Sequence, residues 1–214
     1  NAIHIISDQT RIESDVAVTG ENRVTILAQE RVSNNGDVLA GGVAEIVTAN
    51  FTNTGKVAGQ SDVKVNATAS LVNSGEIDAV GDLDITAEEL NNASGALQAG
   101  QTLSLTTKSY VHSGEVRADD AFNLNAETVS VGPEADWQVR GNVSVTASQL
   151  RNEGVFSSAG DLNLAIIELE NHGDIAGLES LSFTGERLIN GEHSLLLSAG
   201  GMALYLDELD NQGD

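Results

Sequence analysis

The tripeptide Asn-x-Gly returns along this chain at steps of 19 to 21 residues. It stands at Asn34-Asn35-Gly36, Asn53-Thr54-Gly55, Asn73-Ser74-Gly75, Asn152-Glu153-Gly154, Asn171-His172-Gly173 and Asn211-Gln212-Gly213, with looser copies at Asn92-Ala93-Ser94-Gly95 and Asn190-Gly191. From Asn34 the steps are 19, 20 and 19 to Asn92, 20 to His112, 19 to Val131, then 21, 19, 19 and 21 to Asn211. His112-Ser113-Gly114 is a copy with His in the Asn slot, and Val131 fills that slot in the next copy. A period of about twenty residues held over most of a chain marks a repeat architecture, in which each unit is completed by its neighbours.

The residues between the tripeptides say what the unit is made of. In the copy from Leu71 to Leu90, apolar residues alternate at Ile77 and Ala79, then at Leu83, Ile85 and Ala87, with Leu90 opening the next copy. Alternation over four to six residues is the strand period, not the helical one. Val63, Val65 and Ala67 keep the same phase, as do Phe122, Leu124 and Ala126, and Val143, Val145 and Ala147; Val24-Thr25-Ile26 carries a degenerate version. Each copy has two corners, the Asn-x-Gly and a small-residue corner such as Ala79-Val80-Gly81-Asp82 or Ala159-Gly160-Asp161. Glycine accepts positive φ, so the corner glycines Gly36, Gly55, Gly75, Gly114, Gly154 and Gly173 are expected in that conformation.

A two- or three-strand unit cannot bury its own apolar face, so the copies must stack. The expected fold is an all-β, right-handed parallel β-helix of about ten coils, on the order of 45–50 Å long at ~4.8 Å between stacked strands. It spans residues 1–214 as one segment, with degenerate coils over 1–31 and regular repeats over 32–214. Asn34, Asn53, Asn73, Asn92, His112, Asn152, Asn171, Asn190 and Asn211 are expected to stack as a structural ladder, each amide donating to one neighbour and accepting from the other.

Composition removes several functions. A formal net charge of −22, from 32 acids and 10 bases, excludes a general nucleic-acid binder. The absence of cysteine excludes disulfides, thiolate metal sites and a cysteine nucleophile. No apolar run reaches the roughly 18 residues of a spanning helix, and the start NAIHIISDQT lacks the basic and apolar regions of a signal peptide. With seven aromatics in 214 residues, the core must be built of aliphatics in thin layers.

The pattern Leu-x-Asn-x-Gly-x-Ile-x-Ala-x-Gly-Asp-Leu-x-Leu-x-Ala, matched almost position by position between Leu71 and Leu90, resembles the repeats of filamentous haemagglutinin and CdiA-type two-partner-secretion exoproteins. The resemblance covers residues 32–214 and, more weakly, the first 31. It implies a piece of a long filament on the surface of a Gram-negative bacterium, exported through an outer-membrane transporter partner. Such a piece would be a stalk and display surface for adhesion to a receptor or glycan on a host or neighbouring cell. The alternative within the family is a stalk or receptor-contact segment of a contact-dependent growth inhibition toxin. Neither the family's secretion domain nor a toxin module is recognisable. The copy opening at Leu209 stops in mid-pattern at Asp214, so the natural chain is expected to continue, and the segment alone to be monomeric.

The residues offer little chemistry. Of the four histidines, His112 is a ladder substitute, His172 the middle of a turn, and His4 and His193 lie in distant coils, so no shared metal or acid–base site is expected. The corner acids Asp37, Asp82, Asp119, Asp120 and Asp161 could in principle stack into calcium sites, but the Gly-Gly-x-Gly-x-Asp calcium motif is absent. Outward Asp78, Asp84 and Glu88 read instead as a solvated, self-repelling face that discourages lateral pairing. No cofactor is expected. A carbohydrate-active β-helix enzyme is the rival from another class, but its groove needs long loops, and steps of at most 21 residues leave none. Trp137 falls in the inward slot of Ile77; Tyr110, which opens a copy, is expected to be half-buried. Pro133, Glu134 and Tyr205 are the candidate exposed contacts, the first two on a bulged corner.

Overall fold

The computed structural model describes residues 1–213; Asp214, the last residue of the copy opened at Leu209, lies outside them. One coil shows the rest. The strand Val63–Asn73 bends at a register irregularity between Ala67 and Ser70, and Glu76–Ala79 follows after the Asn-x-Gly corner. Three walls result: face A (63–67), face B (70–73) and face C (76–79). In some coils the bend breaks the long strand in two, as in Thr102–Thr106 with Ser109–His112, or Ala121–Asn125 with Thr128–Val131. Every strand pairs in parallel with its counterpart one coil away. Faces A and B merge into a 15-stranded sheet, and face C is a 10-stranded one. The described residues contain no helix, and the expected parallel β-solenoid of about ten coils is the observed fold.

Inward positions stack into columns because the registers never slip on the buried phase. Face A carries Val63, Leu83, Leu103, Phe122 and Val143 in one column; face B carries Phe51, Leu71, Leu90, Tyr110 and Val129; face C carries Ile77, Leu97, Val116, Trp137 and Phe156, all buried. Each large side chain so buried contributes roughly 1.5–3 kcal/mol relative to exposure. Where faces C and A converge the column is mostly of small residues, with Ala40, Gly59, Ala79, Ala99, Ala118, Ser158 and Gly177 and the larger Val139 among them. Residues 1–31 build the same walls: Ala2–Ile12 pairs with Arg23–Asn34 from Ala2↔Arg23 to Ile12↔Asn34, with one irregularity between Ser7 and Gln9.

Two expectations need correction. Tyr110 is completely buried, because it stands directly over Leu90 in the inward column of face B; burial also pushes its hydroxyl pKa up. None of the corner glycines has positive φ; the one described residue that does is His193, at φ 63°. The glycines are required by proximity instead. A Cβ on Gly55 would run into the carbonyl of Gly36, on Gly75 into that of Gly55, on Gly114 into that of Gly95, on Gly154 into that of Gly132 and on Gly173 into that of Gly154, all closer than 3.0 Å. Gly36 is blocked in the same way by the carbonyls of Glu13 and Val16. The coils touch backbone to backbone at this corner.

Candidate functional site

Inside the wall between faces B and C runs a polar spine. Asn34 Nδ2 donates to Asn53 Oδ1, Asn53 to Asn73 and Asn73 to Asn92, each at 2.8 Å. After an interruption, Asn152 donates to Asn171 and Asn171 to Asn190 at 2.8 Å, and Asn190 to Asn211 at 2.7 Å. The second amide hydrogen reaches a face C carbonyl of the following coil: Lys56 O, Glu76 O and Ala96 O at 3.1 Å from Asn34, Asn53 and Asn73. An amide suits this slot because it offers donors and an acceptor at once, which a buried position between two like neighbours demands. At the lower end Asn34 Oδ1 has no partner, since Ile12 lies beneath it.

His112 takes the spine up from Asn92 and stops it. Asn92 Nδ2 lies 3.3 Å from His112 Nδ1, so that nitrogen accepts and the neutral ring carries its proton on Nε2, which finds no partner beneath Val131. Burial lowers the His112 pKa from 6.5 to about 4, against smaller opposing effects of the Asn92 backbone and the Asp136 charge. The sign for stability follows. Between pH 6.5 and 4 the unfolded chain binds a proton that the folded chain refuses, so stability present above pH 6.5 drains away as pH falls and levels off below 4. We expect His112→Asn to lose about 2 kcal/mol less than the parent between pH 8 and pH 5. Urea midpoints of both proteins at the two pH values measure it; equal pH sensitivities would remove His112 from the account.

Around this break the aromatics gather. Trp137 packs on His112 at 5.0 Å between ring centroids, on Phe122 at 4.9 Å and on Phe156 at 4.3 Å, and His112 stacks on Tyr110 at 5.5 Å. Trp137 stands over Val116 in the inward column of face C. The corner beside it is a turn closed by Ala135 N–H to Gly132 O at 3.1 Å, with Pro133 and Glu134 exposed at its tip.

The outside is divided by charge. Ion pairs link successive coils, as in Lys56–Glu76 at 2.8 Å, Lys108–Glu88 at 2.7 Å, Arg151–Glu170 at 3.0 Å and Arg187–Glu208 at 3.4 Å. These pairs are solvent-exposed, and each contributes little. On face A the column Lys64, Asp84 is followed by Ser104, Asn123, Ser144, Asn163 and Ser182, and the column beside it reads Thr106, Asn125, Thr146, Ala165 and Thr184. The outward positions from Ser104 to Thr184 in these two columns carry no charge, and Tyr205, 66 % exposed, follows Thr184 at one end of the strip.

The chemistry-bearing residues do not converge. His4 and His193 are exposed in distant coils, and exposed His172 lies 3.9 Å from Glu170 alone. No group of three or more His, Asp or Glu among the described residues could hold a metal ion. The corner acids instead serve the coils. Asp62 Oδ1 accepts from Asp82 N–H at 3.2 Å, Asp82 Oδ1 from Thr102 N–H at 3.1 Å and Asp161 Oδ1 from Ser180 Oγ at 2.6 Å, while Asp119 pairs with Arg140 at 3.1 Å. Asp37 and Asp120 are exposed. Asp62, Asp82, Asp119 and Asp161 thus tie one coil to the next.

A family model described as haemagglutinin repeat matches residues 5–126 and 138–203. The stretch between the two matches holds Val131 and the lengthened corner. No curated protein and no solved structure matches the chain.

Proposed function

The chain belongs to the haemagglutinin-repeat family, and from that premise we propose that it is a non-enzymatic segment of a secreted or surface-exposed bacterial filament, acting as stalk and as adhesive display surface. The observation that carries the reading is the uncharged strip on face A, from Ser104 to Thr184 with Tyr205 at its end. The strip presents hydroxyls and amides at the coil spacing of ~4.8 Å, without charges to desolvate. A strip that narrow supports a weak contact, and a filament of many coils multiplies weak contacts into avidity. Export through an outer-membrane transporter, a Gram-negative origin and a receptor or glycan on a host or neighbouring cell belong to the same reading.

Short corners support the non-enzymatic part. Reacting groups must be held to about half an ångström, and the turns between these strands carry no loop that could raise a carboxylate over a groove. The test is binding to cells and glycan arrays, with an activity screen on acidic and neutral polysaccharides beside it. Two charges placed in the strip, Asn125→Asp with Thr146→Asp, should lower binding at least tenfold, whereas Gln149→Asp on face B should leave it within twofold. Equal effects at both places would move the contact off face A. Turnover that disappears on changing one carboxylate would replace the reading with an enzyme.

A further inference from the structure

One seam along the rod is built unlike the others. Between the coil of residues 121–139 and that of 142–158 the polar spine is missing, since Val131 stands under Asn152 and offers no hydrogen bond. On face C, Asp136–Val139 meets Val155–Ser158 through the single pair Val139↔Ser158, whereas every other neighbouring pair of strands on that face is joined through four residues. A cleft of about 400 Å³ lies at the same place, lined among others by Gln138, Arg140, Ser157 and Leu178. Beneath the seam Trp137 Nε1, and one coil further down Tyr110 Oη and His112 Nε2, are buried without a hydrogen-bond partner. Faces A and B cross the seam in full register, from Ala121↔Asn142 to Asn125↔Thr146 and from Thr128↔Gln149 to Val131↔Asn152.

We propose that this seam is a hinge built into the rod, which opens on face C, with faces A and B as the pivot, before either half unfolds. The reason is the kind of bond left to hold it. Elsewhere face C is closed by four backbone pairs per coil, joined in most coils by the spine. Here the strands share one ladder pair, held by Ala159 N–H to Val139 O at 3.0 Å and by two serine hydroxyls, Ser158 Oγ to Gly141 O at 2.7 Å and Ser157 Oγ to Trp137 O at 3.4 Å; the rest is Trp137 packed against Phe156 at 4.3 Å, a contact that tolerates sliding and parting. Opening also carries a gain, because water reaches Trp137 Nε1, which the closed coil leaves unpaired. The local opening free energy should therefore be at the low end of the range found along the structure.

The chain provides its own reporter, since Trp137 is its one tryptophan and sits at the seam. Hydrogen exchange on the whole segment should show the amides of 137–138 and 156–157 exchanging at least tenfold faster than those of 77–78 and 97–98. In a urea titration Trp137 emission should shift to the red, and become quenchable by acrylamide, at lower urea than the loss of strand circular dichroism. Val131→Asn would give His112 Nε2–H an acceptor and Asn152 Oδ1 a donor, rejoining the spine. It should slow exchange at 137–138 and 156–157 several-fold and leave 77–78 and 97–98 unchanged. Superimposed fluorescence and circular-dichroism transitions, with uniform exchange along face C, would overturn the hinge. So would a Val131→Asn variant that slows exchange equally in all coils.

Discussion

Gly75→Val is expected to destabilise the rod by more than about 3 kcal/mol, enough to threaten folding of the segment. A Cβ on Gly75 meets the carbonyl oxygen of Gly55, the carbonyl carbon of Thr54 and the amide nitrogen of Gly55, all backbone atoms of the preceding coil. No rotamer relieves that collision. Lifting the coil instead stretches Glu76 N–H to Gly55 O, at 2.9 Å, and Ser74 N–H to Asn53 O, at 2.8 Å. Gly201 is the control, because nothing lies within 4 Å of a Cβ built there, and Gly201→Ala should stay within about 0.5 kcal/mol of the parent. Gly75→Asn separates the two explanations for a corner glycine. Asparagine tolerates positive φ and would be accepted if conformation were the reason, but it collides as valine does if proximity is. Denaturant midpoints of the three variants decide; a Gly75→Asn variant as stable as the parent would restore the conformational explanation.

The same residue shows what the sequence could and could not carry. The coil count, the parallel stacking and the inward columns were legible, because period-two alternation and a step of 19 to 21 residues are both properties of one strand read against the next. That Gly75 lies against the backbone of Gly55 is a distance between residues one coil apart, and local patterning does not encode it. Full burial of Tyr110 was within reach, since it follows Leu90 by one repeat; the expectation of a half-buried ring followed its place at the opening of a copy rather than its column. The charge-free strip is visible in every second residue of successive copies, yet it stands out only when face A is separated from face B by the bend. The lost pairing of residues 136–139 had a sequence trace in the 21-residue step after Val131. The longer corner does not disturb pairing with the preceding coil, since Asp136–Val139 keeps four pairs with Glu115–Ala118, as Leu195–Ser198 after the equally long Asn190 step does with Asp174–Gly177; the loss is toward the following coil.

Asn73→Leu is expected to lower stability by roughly 3 kcal/mol, through groups it leaves behind more than through bonds it removes. Leucine matches asparagine closely enough in size to enter the column and adds apolar surface, so packing alone would make the change mild. The electrostatics run the other way. Asn92 Oδ1 loses the donor at 2.8 Å and becomes a buried acceptor with nothing to accept, and Ala96 O loses its amide contact at 3.1 Å. Asn53 Nδ2 loses Asn73 Oδ1 but keeps Gly55 O at 3.2 Å and Glu76 O at 3.1 Å, so the coil below suffers less than the coil above. Each newly orphaned buried group is worth about 1–3 kcal/mol. Exposed Glu89→Gln on face B should change stability by less than about 0.5 kcal/mol. The asymmetry is the sharper part of the expectation, since amides in residues 92–97 should gain exchange more than those in 53–58. Equal midpoints for Asn73→Leu and Glu89→Gln would mean that the stacked amides are bystanders. Symmetric exchange on the two sides would mean that the spine does not act in the direction its hydrogen bonds run.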